Sequence, residues 1–125
     1  MKRDPWQGLE ELVADLGEFD RGMVAKVAPE ALRETGREIV DQAKRDTPRD
    51  TGKSAESIEM SEVEIDGQLA SVDIGSDWFV VPFLEFGTSR RPALRMIGRA
   101  VEERSPELRA RLVAAMNRHA EASGL

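Results

Sequence analysis

The chain contains no cysteine and no tyrosine, one histidine, and only 5% aromatic residues. Without thiols it can form no disulfide, no zinc–thiolate centre and no cysteine nucleophile. A lone histidine, His119, is too little for a histidine-based metal site or a serine–histidine triad, and we expect neither metal nor cofactor. His119 falls in the polar tail of the last helical pattern, where exposure is expected. No apolar run approaches the roughly 20 residues of a membrane span, and the start, Met1-Lys2-Arg3-Asp4-Pro5, leads into no signal-type apolar core. A cytosol-like compartment without membrane contact is therefore expected. A basic surface is also lacking: 24 acidic residues against 18 basic ones leave a net charge of −6, which disfavours gripping nucleic acid.

What is present is a chain of 125 residues with 40% hydrophobic and 34% charged composition, sufficient for one domain, 1–125, with a modest core. Its basic residues are fourteen Arg and four Lys. Arginine favours bidentate contacts with carboxylates at interfaces, although GC-rich coding produces the same bias. Asp4 reads as an N-cap and Pro5 as a first helical residue, with Leu9, Leu12, Val13 and Leu16 at i, i+3, i+4 and i+7. This predicts a short amphipathic helix ending near Gly17. A second helical pattern over 20–46 carries the stripe Val24, Val27, Ala28, Ala31, Leu32, Ile39 and Ala43, with a kink or break expected at Pro29. Gly36 in that helix hints at close packing against another element. Thr47-Pro48 stops it, and a polar loop over 47–56 follows, with Gly52 suited to positive φ.

Two apolar runs flank Asp66-Gly67, a signal for a type I′ hairpin with Ile65 opposite Gln68. Ala70, Val72 and Ile74 share its apolar face. Ile58 and Met60 have the opposite parity from Val63 and Ile65, and a bulge near Ser61-Glu62 would reconcile them. The segment 74–88 then holds three of the four Phe and one of the two Trp. We expect Phe79, Phe83 and Phe86 to pin it against helices on either side. Pro82 opens a short helix through Phe86 that Gly87 ends, and Glu85 accepts backbone N–H bonds from a neighbouring loop. Beyond Arg90-Arg91-Pro92, the residues Leu94, Ile97, Ala100 and Val101, then Leu108, Leu112, Ala115 and Met116, predict helix over 92–122 with a break at Ser105-Pro106.

The order implies an α+β domain: a long N-terminal helical region over 5–46, kinked near Pro29, and C-terminal helices packed on a small antiparallel hairpin sheet over 57–75, with an aromatic corner at 76–88. Such a sheet has free edges that call for a third strand, a covering helix or a neighbouring subunit.

Several stretches resemble the tail-completion, or head-to-tail joining, proteins of long-tailed bacteriophages. Ala43-Lys44, then Thr47-Pro48-Arg49-Asp50-Thr51-Gly52, then Ser57-Ile58, is similar to that family's "AK, T-P-x-D-T-G, S-I" run. Ile74-Gly75-Ser76 matches its glycine-ended strand, Phe83-Leu84-Glu85-Phe86-Gly87-Thr88 its "Y/F-x-E-F/Y-G-T" signature, and Arg91-Pro92-Ala93-Leu94-Arg95 its proline turn into the last helix. Gly8-Leu9-Glu10-Glu11-Leu12 is similar to the usual opening. Two departures stand out. Trp78-Phe79 replaces the customary tyrosine, and Lys53-Ser54-Ala55 stands where a basic residue precedes leucine.

The resemblance implies a structural virion protein without enzymatic activity, forming a six-fold ring at the head–tail junction, assembled in the host cytoplasm. Its implied partners are further copies of itself, the connector or stopper protein, and the tail-tube or terminator protein. DNA would pass through the lumen without specific binding, as an acidic wall repels phosphate. A phage, a prophage or a gene transfer agent could be its source. Thr47, Pro48, Asp50, Thr51 and Gly52 in the loop, and Trp78, Phe79, Glu85, Phe86, Gly87, Thr88, Arg90 and Arg91 around the corner, are the expected contact and motif residues. Two other classes were weighed: an acidic oligomeric interaction module, and a small hydrolase using Asp50 or Asp73 with Glu85. The second lacks a nucleophile elbow, a glycine loop or a metal triad.

Overall fold

The computed structural model describes residues 6–17, 21–49 and 52–122. Eight elements follow one another: β1 (Gln7–Asp15), α1 (Arg21–Asp46), α2 (Lys53–Ser57), β2 (Ile58–Met60), β3 (Glu64–Asp66), β4 (Leu69–Ser76), α3 (Val81–Phe86) and α4 (Met96–Ala122). The expected α+β class is confirmed, with one layer of antiparallel sheet against one layer of helices. The N-cap expected at Asp4 lies outside the described residues.

The stretch read as a first helix is a strand. Leu12 and Ala14 are 1% and 3% exposed while Val13 between them is 46% exposed, a period of two. Leu9, Leu12, Val13 and Leu16 fit a helical spacing, but β4 offers an unpaired edge, and pairing with it satisfies the backbone groups that face that edge on both strands. β1 runs antiparallel to β4 from Asp15↔Leu69 to Gln7↔Ser76, with a register shift between Gly8 and Glu10.

β4 is thus the centre of the sheet. Its other edge is covered in two pieces, by β2 and by β3. Met60 pairs with Ile74 and Glu64 with Ser71, so three residues, 61–63, face two on β4. The bulge expected at Ser61-Glu62 is present. Ser61 N–H donates to the Asp73 carbonyl at 2.8 Å, and Asp73 N–H donates to Ser61 Oγ at 2.9 Å, so a side chain takes the place of a carbonyl in the ladder. The shift brings Ile58, Met60 and Val63 to the core side, as parity demanded, whereas Ile65 near the tip is exposed. The hairpin register differs from expectation. Asp66 pairs with Leu69 and Ile65 with Ala70, which makes Gly67-Gln68 the turn. Gly67 has φ 64 and Gln68 is not left-handed; this excludes type I′ and matches the type II′ pattern with glycine first.

α1 lies over the sheet and also packs on α4. Every residue of its expected stripe, from Val24 to Ala43, is buried, and so is Thr35. Gly36 sits where the helix approaches the sheet: a Cβ there would meet Met60 Sδ at 2.6 Å. Neither Pro29 nor Ser105-Pro106 breaks its helix, as both prolines lie inside continuous helices. Each deprives an exposed residue's carbonyl, Ala25 or Glu102, of its partner, and water can serve there. The Ser105 hydroxyl donates back to the Val101 carbonyl at 2.6 Å instead of capping a new helix. α4 starts at Met96, not at 92, and the loop after α1 is shortened by α2. His119 is half-buried rather than exposed.

A polar belt closes the α1–α4 seam. Arg111 donates to Thr35 Oγ1 at 2.8 Å and to Glu38 Oε2 at 2.7 Å, and Arg104 donates to Gln42 Oε1 at 2.9 Å and to Glu38 Oε1 at 3.3 Å. The Arg111 guanidinium holds the Glu38 carboxyl below the usual carboxylate range.

Gly75 is the tightest point of the sheet, where a Cβ would run into the backbone carbonyl of Gln7. Backbone cannot step aside as a side chain can. Gly75→Ala is therefore expected to destabilise by about 2 kcal/mol or more, the upper part of the overpacking range. A urea midpoint equal to that of the native protein would contradict this.

Candidate functional site

The expected contact residues converge around the corner that follows β4. Ser76 ends the strand and ties three segments together: its hydroxyl donates to Ser57 Oγ at 2.7 Å and accepts from Trp78 N–H at 2.9 Å, while Ser57 Oγ donates to the Ser54 carbonyl at 2.8 Å. Lys53 Nζ stands 5.0 Å from the Trp78 ring centre, a cation–π contact. The loop motif and the aromatic corner, 26 residues apart between Gly52 and Trp78 in sequence, are neighbours through these contacts.

Of the loop residues, Thr47 is buried and its hydroxyl donates to the Ala43 carbonyl at 2.6 Å, closing the end of α1. Pro48 is exposed. Gly52 takes φ 82 and its carbonyl accepts from Glu56 N–H at 3.0 Å, which starts α2. Asp50 and Thr51 lie outside the described residues. Within Lys53-Ser54-Ala55, the stretch that departs from the resembling family's basic–leucine pair, Ala55 is buried, 1% exposed.

The corner itself is built by α3, with Pro82 in its first turn and Gly87 at its end, as expected. Gly87 is required twice over: its φ is 80, and a Cβ would meet Ala93 N at 2.7 Å. Thr88 Oγ1 accepts from Arg90 and Arg91 N–H at 3.2 and 3.1 Å, forming the turn that sends the chain back toward α4.

Glu85 is the keystone of this arrangement. Fully buried, it accepts from Ile97 N–H at 2.9 Å and Gly98 N–H at 2.8 Å, the orphan donors in the first turn of α4. Its backbone carbonyl accepts from Arg95 N–H at 3.2 Å, and the Leu84 carbonyl accepts from Leu94 N–H at 2.9 Å. One glutamate therefore fixes both the loop 88–95 and the start of the last helix, the turn-fixing role expected of it.

A partner for Glu85 was missed in the sequence. Glu10, from β1, stands against it, and a Cβ on Gly98 would lie 3.1 Å from an oxygen of each. Burial first, then the hydrogen bond and charge of Glu85, push the Glu10 carboxyl up to about 7. Protonated Glu10 can donate to Glu85. Once 7–15 is read as strand, Glu10 has the inward parity of Leu12 and Ala14, and that parity was the available signal.

The aromatics do not do what was expected. Phe79, Phe83 and Phe86 are 69%, 55% and 56% exposed. Helix α3 turns Val81 and Glu85 inward, with Leu84 and Trp78 partly buried against the core, and this places Phe83 and Phe86, three apart, on the outer side. Arg90 and Arg91 are exposed beside them. The corner thus presents large apolar rings and two cations on a rigid mount. Asp73 and Glu85, the pair considered for hydrolysis, keep different company: Asp73 packs at Gly8 and Glu85 at Glu10.

Compared with known proteins, residues 10–87 match the family model described as "Bacteriophage HK97-gp10, putative tail-component". The match runs from Glu10 on β1 to Gly87 at the end of the corner, taking in the first sequence motif whole and the second as far as Gly87. No curated protein and no solved structure matches the chain.

Two outcomes follow from the carboxylate pair. Glu85→Gln turns an N–H2 donor toward a helix end that offers only donors, and is expected to cost about 2–4 kcal/mol, read from the urea midpoint. Glu10 has a folded-state value raised above its ordinary 4.5, so its contribution favours the fold below about 4.5 and is lost as pH rises to about 7. Glu10→Gln should therefore flatten the pH dependence of stability across that window and raise stability at pH ~8 relative to the native chain. An unchanged slope in urea titrations at successive pH values would refute it.

Proposed function

Because the chain belongs to the HK97-gp10-like family of bacteriophage tail components, we propose that it is a structural subunit of the head–tail junction, one that completes the tail and joins it to the capsid connector. In this reading several copies, six by the family resemblance, close into a ring. One face of the ring meets the connector or stopper and the other the tail-tube or terminator protein. The protein is made in the host cytoplasm, ends in the virion and catalyses nothing.

The observation that carries the reading is the exposed group Phe79, Phe83 and Phe86. Rings of this size left in water on a braced corner are a contact surface awaiting a partner. Closure into a ring needs a heterologous interface, in which two different patches of each subunit meet, and the corner supplies one. The net charge of −6 suits a channel wall that DNA passes without adhering.

The test is genetic and visual. Particles made without this protein should appear in electron micrographs as filled heads and separate tails, and supplying the native chain should join them. A chain with Phe83→Ser and Phe86→Ser should fold, judged by circular dichroism, yet fail to join them. Normal joined particles without the protein would end the proposal.

A further inference from the structure

Charge is segregated along this chain in a way the fold turns into geometry. Residues 54–77 contain seven acids and no Lys or Arg, whereas 78–95 contain three Arg and a single acid, the buried Glu85. In the fold, the middle of the acidic stretch, β2 and β3, forms an outer edge of the sheet. Glu62, Glu64 and Asp66 are exposed there, and β3 is paired only on its β4 side among the described residues. Ile65 and Leu69 add apolar surface at the same place, 41% and 45% exposed. The basic stretch forms the corner, where Phe83, Phe86, Arg90 and Arg91 are exposed. Among the described residues, no ion pair occupies the guanidinium of Arg90 or Arg91, nor the carboxylates of Glu62, Glu64 or Asp66.

β4 begins at the hairpin and ends at the corner. β3 pairs with the first residues of β4, Leu69 to Ser71, and the corner follows its last, Ser76, so the two patches lie toward opposite ends of one strand. Both combine apolar surface with unpaired charge, and the charges are of opposite sign. We infer that the aromatic, arginine-bearing corner of one copy docks on the acidic β3 edge of the next copy. This rests on the self-assembly proposed above and specifies its interface.

Each patch repels itself. Two acidic edges cannot pair with one another, and two arginine corners cannot either, so the head-to-tail contact is the one the charges admit. Arginine forks match carboxylates bidentately, which sets register as well as attraction. A contact between different patches at opposite ends of a subunit propagates around a ring instead of stopping at a pair.

Charge reversal and cross-linking test this on the whole chain. Native protein is followed by sedimentation velocity over a concentration series. Glu62→Arg with Glu64→Arg, and separately Arg90→Glu with Arg91→Glu, should each weaken self-association at least about tenfold, and combining all four should restore it. The absence of native cysteine gives a clean background for a chain carrying Glu64→Cys and Arg91→Cys. On oxidation it should form a ladder of covalent oligomers, while either substitution alone should not cross-link. If the native chain associates but the reversals leave that association unchanged, or a single-cysteine chain cross-links as readily as the double, the interface is placed wrongly and the ring reading survives. If the native chain remains monomeric at every concentration, both fall.

Discussion

The corner of this protein depends on one buried carboxylate. Glu85 receives the first free amides of α4, and through its own backbone carbonyl it receives the loop that leads there. A carboxylate at a helix start is favoured by the local dipole, and burial strengthens such hydrogen bonds by excluding water from them. The helix it starts is the longest in the chain, and that helix packs on α1 and on β1. With α4 anchored, α3 is held rigidly, and only on a rigid α3 do Phe83 and Phe86 form a surface instead of collapsing inward.

The second constraint is the sheet's small size. One strand, β4, is flanked on both sides, and its flanks come from the start of the chain and from the segment just before it. Close approach at Gly75 and Gly36 lets β1 and α1 lie near enough to close the core. The outer edge of β3 is left to solvent and is guarded by acids. Such guarding prevents indiscriminate strand pairing while leaving a basic partner welcome, so solubility and selective assembly arise from the same residues.

Much of this was legible in order along the chain. The α1 stripe, the bulge at Ser61, the short helix opened by Pro82 and ended by Gly87, the positive φ at Gly52 and the binding of Glu85 by backbone amides each follow from local chemistry, which acts within a few residues. The motifs that the family shares are of this kind: Gly87 has no room for a Cβ, and Thr88 holds a turn. The misreadings have a common cause. The segment carries a helical spacing in Leu9, Leu12, Val13 and Leu16 and an extended one in Leu12, Ala14 and Leu16, and only the edge of β4, more than fifty residues away, decides between them. With β1 taken for a helix, Glu10 could not be seen as the neighbour of Glu85. Pro29 and Pro106 do not break their helices: buried residues lie before and after each proline, and the carbonyl it leaves unpaired belongs to an exposed residue.

By itself, the sequence determined the buried faces of α1 and α4, the short helix opened by Pro82, the sign and placement of charge, and the exclusion of thiol chemistry, because those depend on residue type and short-range spacing. The tertiary structure alone decided that residues 7–15 join the sheet, that the half-buried Glu10 stands against the buried Glu85, and that the phenylalanines of the corner face outward. Burial is a property of the whole surface left after packing, and Val81 and Leu84 had already occupied the space that the rings would have needed.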